Sequence, residues 1–564
     1  MKASKRRFTL VAALMVLALV LVACGGGSDD DSGGGQRTTS STAGETSGAG
    51  TLVLGAEQEF DCADWIASCA GAVWGLFTMQ EHTIPRVFNY EKQGEDWVEV
   101  PSPLLVDMPT VSDVGGKQVV TYRINPAAVW SDGEPITSTD FKYTVDEIVN
   151  GEDVYDQTGY ADIESVDDSD PKTAVVTFKK PYASWRALFA AAYGVLPSHL
   201  LEGKDRAEEM ADGYDWSGGP WIADWQKGVQ VVLTPNPSYW GEKPKLQKVI
   251  FKFLADTASE FQAYKNGEVL AIYPEAQLDA IEQIKETTGA SNVYVTDETG
   301  NLEALWLNNA KFPFDSLAVR QAIGYSLDRD AIVNRLFGDV GVTRAVQTLN
   351  PPIVSRYADR RAWSGYTLQP QRVEQIMTAD GWKKGSDGIW QKDGKKAAFT
   401  AATTSGNQRR ELTLQIVQEQ LREQGFKVTI RNQASDDLFG KALPNGDYQM
   451  ALYANVATSL DPGLCTIACS KNIPSKRNKF SGQNVQRINI PALDPLLETV
   501  DSSIVDAVRI DASKKADQVM AQEQVSLPLD PLPNIVLWSS RIQGEVSDNP
   551  ILGPFWNVNT WTVG

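Results

Sequence analysis

The chain has 564 residues and a formal net charge of −20, too long for one compact core, so two or three lobes are expected. Hydrophobic content of 42% and charged content of 22% are those of an ordinary globular protein. The acidic balance makes nucleic acid and anionic lipid surfaces poor partners. Catalytic signatures are scarce as well: there is no G-x-S-x-G elbow, no H-E-x-x-H and no Gly-Lys-Ser/Thr phosphate loop. One Ser-x-x-Lys, Ser169 to Lys172, lies in an acidic turn without companion motifs, and His82 and His199 are the only histidines. No enzyme is expected.

The first element is an uncharged apolar run, Phe8 to Ala23, behind Lys2, Lys5, Arg6 and Arg7. It is shorter than the ~20 residues a spanning helix takes, and the basic head and small-residue end describe a signal peptide over 1–23. Its end, Leu21-Val22-Ala23-Cys24, resembles the lipobox of bacterial lipoproteins, in which the cysteine becomes acylated after cleavage. The plain alternative is a signal peptide with a chance cysteine. Arg6-Arg7-Phe8 only loosely resembles a twin-arginine signal, which leaves the export route open. Residues 25–50 hold nine Gly and five Ser with nothing aliphatic larger than alanine. Such a segment is a flexible tether, reaching roughly 28 Å root-mean-square, and the mature chain from Cys24 carries a charge of −24.

The folded body starts near Thr51 with the strand TLVLGA, 51–56. QVVTYRI (118–124) reads as a strand, followed by a turn at Asp132-Gly133. The next segment is a helix burying Phe141, Thr144, Val145 and Ile148, capped within Thr137–Thr139 and stopped at Gly151. Residues 230–240 and 248–254 read as neighbouring strands. Two helices follow: one capped by Asp315 that buries Val319, Ala322, Ile323 and Leu327, and one capped by Asp328 that buries Ile332 and Leu336. AAFTAAT (397–403), a helix through Leu414, Val417 and Leu421, and FKVTI (426–430) form a β-α-β unit. That unit calls for a mixed or parallel sheet with helices on its faces. Apart from Cys24 the cysteines fall into two close pairs, Cys62/Cys69 and Cys465/Cys469. In an exported chain these read as disulfides, with a zinc site as the alternative despite the absence of Cys-x2-Cys spacing.

Four stretches, in order, resemble the family-5 extracellular solute-binding proteins of peptide and nickel ABC importers. They are VVTYRINPAAVWSDGEPITSTDF, LPSHLL, SGGPWIADWQKGVQVVLTPNPSYWGEKPKLQKVIFKF and NNAKFPFDSLAVRQAIGYSLDRDAIV. With GWKKGSDGIWQKDGKK the likeness runs from about residue 51 to the C-terminus; Trp221 stands where the family usually has tyrosine. The resemblance implies an α/β periplasmic-binding-protein fold of type II, two lobes around a ligand cleft, with the extra inserted domain of the peptide-binding branch. By the family's pattern 51–92, 216–303 and 530–564 form lobe I, 93–215 the inserted domain and 304–529 lobe II.

It also implies an oligopeptide or peptide-like ligand, an ABC permease as partner, a monomer lipid-anchored on the extracytoplasmic membrane face, and no cofactor or metal. Oligosaccharide, haem or a metal chelate are the alternative ligands; a surface sensor or a hydrolase is the alternative class. In the peptide-binding branch, a lobe II strand leads into an Asp-Tyr-x-Asp-Pro loop whose first Asp receives the ligand ammonium. Anchoring on Asp461-Pro462 puts Thr458 at that place, so a hydroxyl replaces the carboxylate unless Asp461 or Glu57 substitutes. Glu57, Gln58, Phe60, Trp74, Trp216, Asn455, Thr458, Asp461 and Trp538 are the expected ligand contacts. Against this, most of the 16 tryptophans must be core, solvated carboxylates are common at strand ends, and His82 reads as structural.

Overall fold

The computed structural model describes residues 47–564 except 49, 68, 70–72, 191–192, 255, 288–290, 458, 479 and 481. The apolar leader, Cys24, most of the tether and Thr458 therefore lie outside the described residues. Thr51–Ala56 is buried along nearly its whole length, as a strand covered on both faces should be. It pairs in parallel with Lys248–Phe253, from Thr51 against Lys248 to Ala56 against Phe253. Gln230–Pro235 and Trp221–Gln226 complete this four-stranded sheet as a hairpin closed by Lys227-Gly228-Val229. There Gly228 takes the left-handed conformation (φ 73°) that such three-residue loops need. A second sheet places Asn534–Trp538 between Ala271–Ile272 and Asn292–Thr296.

The third sheet has five strands, in the order Lys427–Ile430, Ala398–Ala402, Met450–Val456, Asn301–Leu307 and Ser526–Asp530. Ala398–Ala402 runs parallel to both Lys427–Ile430 and Met450–Val456. Between the first two, the helix Gln408–Glu423 buries Leu414, Val417 and Leu421, which is the β-α-β unit read from the sequence. A fourth, antiparallel sheet is made of Thr110–Val114, Lys117–Arg123, Thr173–Phe178 and Ile163–Asp170. It carries the helix Ser138–Asn150, closed by a capping box between Thr137 and Asp140. Asp140 also accepts bonds from the backbone and hydroxyl of Ser198 (2.8 and 2.7 Å), fixing the LPSHLL segment.

The chain passes between the second and the five-stranded sheet twice, from Thr296 to Asn301 and from Asp530 to Asn534. The buried Thr299 hydroxyl donates to the carbonyl of Pro531 (2.5 Å) and ties the two connections together. The strand Asn301–Leu307 straddles the boundary expected at 303. One sequence reading is corrected. The helix Leu317–Gly324 is capped by Ser316, which accepts from the Val319 amide. Asp315 is held instead in the preceding turn, its amide bonded to the Lys311 carbonyl. Asp328 does cap Arg329–Phe337. Disulfides join Cys62 to Cys69 and Cys465 to Cys469.

Candidate functional site

In open α/β sheets, ligands sit outside the carboxyl ends of the strands. In the five-stranded sheet, four mutually parallel strands end on one edge, at Ala402, Ile430, Val456 and Asp530, beside the start of Asn301–Leu307. Both inter-sheet connections leave from that edge. On the other side, Glu275 follows the short strand Ala271–Ile272 by three residues. Glu57, the first residue after Thr51–Ala56, meets this segment: it accepts from the Glu275 amide (3.2 Å) and the Thr257 hydroxyl (2.8 Å).

The two rims differ in charge. At the five-stranded rim, Glu303 is fully buried and takes a two-pronged bond from Arg409 (2.9 and 3.0 Å) and a third from Arg410 (2.5 Å). Both arginines come from the first turn of Gln408–Glu423, which Asn407 caps through the Arg410 amide (3.0 Å). Arg410 also reaches Thr404 (3.3 Å) and is partly open to solvent. Burial alone would raise Glu303, but the two guanidiniums outweigh it and hold the carboxyl below its ordinary range. Burial, followed by the charge of Glu303, pushes neighbouring Asp530 up to about 7. Among the described residues no cation acts on the opposite carboxyls: burial raises Glu57, and burial with the Glu57 charge pushes Glu260 up to about 8.

Of the residues expected from sequence, Glu57 and Gln58 follow the first strand at this edge, and Asn455 pairs with Leu302 beside the first connection. Asp461 lies just beyond that strand and is already engaged, by Arg509 and by the Ser184 hydroxyl (2.9 Å). The aromatic candidates are packed into the protein. Phe60 lies on Trp225 (4.3 Å between ring centres) and Trp74 against Phe77 and Tyr273 (5.8 and 6.2 Å). Trp216 stacks on Tyr214 (4.4 Å) and borders a surface groove of about 580 Å³ with Leu200 and Trp225. Trp538 pairs with Ala271 and Asn292, at the end of its strand away from the connection. His82 is buried, its Nε2 bonded to the Phe77 carbonyl (3.0 Å), and burial takes it down to about 3. Among the described residues no group of three or more His, Cys, Asp or Glu is placed to hold a metal ion. Sequence reasoning missed Arg409, Arg410, Glu303 and Glu275. The run TTSGNQRREL, directly after a strand of the β-α-β unit, was the available signal for the first two.

The family model described as bacterial extracellular solute-binding proteins, family 5 Middle, matches residues 100–471. The chain belongs to this family. Oligopeptide-binding protein OppA of Mycobacterium tuberculosis is 25% identical over 479 residues, covering 82% of this chain and 77% of the relative. Among solved structures, the periplasmic EDTA-binding protein EppA superposes with a TM-score of 0.77 at 21% identity, covering 92% of this chain and 98% of its own. The oligopeptide-binding protein AppA from Bacillus subtilis, in complex with a nonapeptide, gives 0.66 at 20%, with 91% and 99% covered. The fold is therefore the two-lobed α/β fold of the family-5 binding proteins, and no described helix is long and apolar enough to cross a membrane.

Proposed function

We propose that this protein captures an oligopeptide or peptide-like solute between its lobes and hands it to the permease of an ABC importer, without covalent chemistry. In this reading a lipid on Cys24 holds it to the extracytoplasmic face of the cell membrane through the 25–50 tether. The ligand class is supported by two groups of charge: Glu57, bonded to the Glu275 amide, and the partly open guanidinium of Arg410, whose neighbour Arg409 feels the charge of Glu275. A zwitterionic chain with amide edges between its ends complements both. The oligopeptide-binding relative OppA supports the same class. Calorimetry with a pool of nonapeptides is the test. Saturable binding is expected; heat with an oligosaccharide or a metal chelate and none with peptides would replace this ligand class. For the anchor, Cys24→Ser should abolish incorporation of a fatty-acid probe, and equal labelling of parent and variant would refute it.

A further inference from the structure

The range 93–215 has no chain connection to 304–529; the two crossings into the five-stranded sheet run instead from Thr296 and back to Asn534. Yet the two are bonded to each other, most closely around Ser184. The Ser184 hydroxyl donates to Asp461 (2.9 Å), and the Ala183 amide donates to the Asp501 carbonyl (3.3 Å). Arg509, almost fully buried, donates to the Ala183 carbonyl (3.2 Å) and to Asp461. Its other bonds, to the Val500 carbonyl (2.8 Å) and the Tyr357 hydroxyl (3.4 Å), stay within the second lobe and fix the guanidinium. Beside it, Arg186 and Arg356 converge on Asp506 (3.4 and 3.2 Å). On the Phe88–Pro101 hairpin, Asp96 receives Ser355 and Arg360 (3.1 Å each).

We infer that Ser184, Asp461 and Arg509 form a latch by which the second lobe closes onto the inserted domain, and that Asp461 holds closure and does not bind the ligand. The inference rests on the two-lobe capture reading above. A rotation about the two connections parts Ser184 from Asp461, Ala183 from Asp501 and Arg509 from Ala183, together with Arg186 from Asp506 and Asp96 from Ser355 and Arg360. It leaves the Arg509–Asp461 pair intact inside the second lobe, so opening strands no buried charge and stays cheap. Asp461 belongs to the loop that follows Asn455, so the same segment borders the cleft and engages the latch. Ser184 is a positioning residue: its hydroxyl acts on closure through Asp461.

The test needs no ligand. Hydrogen exchange at the buried Ala183 amide, read by NMR or fragment mass spectrometry on the full chain, should speed up roughly five- to tenfold in Ser184→Ala, the factor one ordinary hydrogen bond implies. Small-angle scattering of the same variant should shift toward a larger maximum dimension, and Ser184→Thr should restore both readings. Unfolding midpoints matching the parent's would exclude general loosening as the cause. Unchanged Ala183 exchange and an unchanged scattering profile in Ser184→Ala would overturn the latch. If peptides fail to bind the parent while Ser184→Ala still opens it, the latch stands and the ligand reading falls.

Discussion

The two rims of the cleft bury carboxylates under opposite conditions. Glu303 is buried with two guanidiniums in contact and stays ionised. Glu260 is equally buried, among the described residues no cation is bonded to it, and one of its oxygens has no hydrogen-bond partner; burial pushes it up to about 8. Burial alone does not decide the charge of a carboxyl; burial and the partner together do. The second lobe's rim is a fixed ionic platform, and the first lobe's rim gains charge as pH rises through neutrality.

The comparison breaks most visibly at Arg409. Arg409→Ala leaves Glu303 buried beside a single remaining partner and should cost about 3–5 kcal/mol, measured as a lower denaturant midpoint. A change within roughly 0.5 kcal/mol, the usual range for surface substitutions, would show that the platform is not a buried charge pair. Next in size is the pH response. Glu260 has a higher pKa folded than unfolded, so its contribution is fully present below about 4.5 and lost as pH rises to about 8. Glu303 runs the other way: its contribution is present above the ordinary carboxylate range and lost on acidification. Glu260→Gln should therefore flatten the fall in stability between pH 5 and 8 relative to the parent. Parallel curves for the two proteins would refute an uncompensated Glu260.

Smaller effects concern the ligand. Arg410→Ala should weaken a bound peptide by roughly tenfold, and C-terminal amidation of the peptide should lower affinity in the parent but not in the variant. The smallest effect expected is that of N-acetylation, roughly threefold or less, on the sequence reading that puts the neutral hydroxyl of Thr458 at the ammonium position, with Asp461 engaged by Arg509 and Ser184. Loss of binding on acetylation would place an ammonium anchor at another residue, Glu57 foremost.

Much of the fold was legible because its signals are local. TLVLGA, the capping box at Thr137 and Asp140, and the strand-helix-strand run from 397 to 430 each declare themselves within a few residues. The exchange of Asp315 for Ser316 as a cap turns on one residue of register, set by a preceding turn that propensity does not describe. The site was less legible. Glu57 and Asn455 follow from strand ends, but the engagement of Asp461 does not. Its partners Ser184 and Arg509 lie 277 and 48 residues away in the chain and meet it only through tertiary packing. Composition likewise could not tell that Phe60, Trp74 and Trp216 have their rings covered by other aromatics.

Native mass spectrometry of the full-length protein, freshly purified from detergent and without refolding, addresses the central claim most directly. A population carrying one extra mass that fragments as a short peptide, and that is lost on unfolding, is the result expected for capture of a peptide between the lobes. A bound sugar, haem or metal chelate, or an empty protein that also takes up no peptide from a nonapeptide pool, would contradict it.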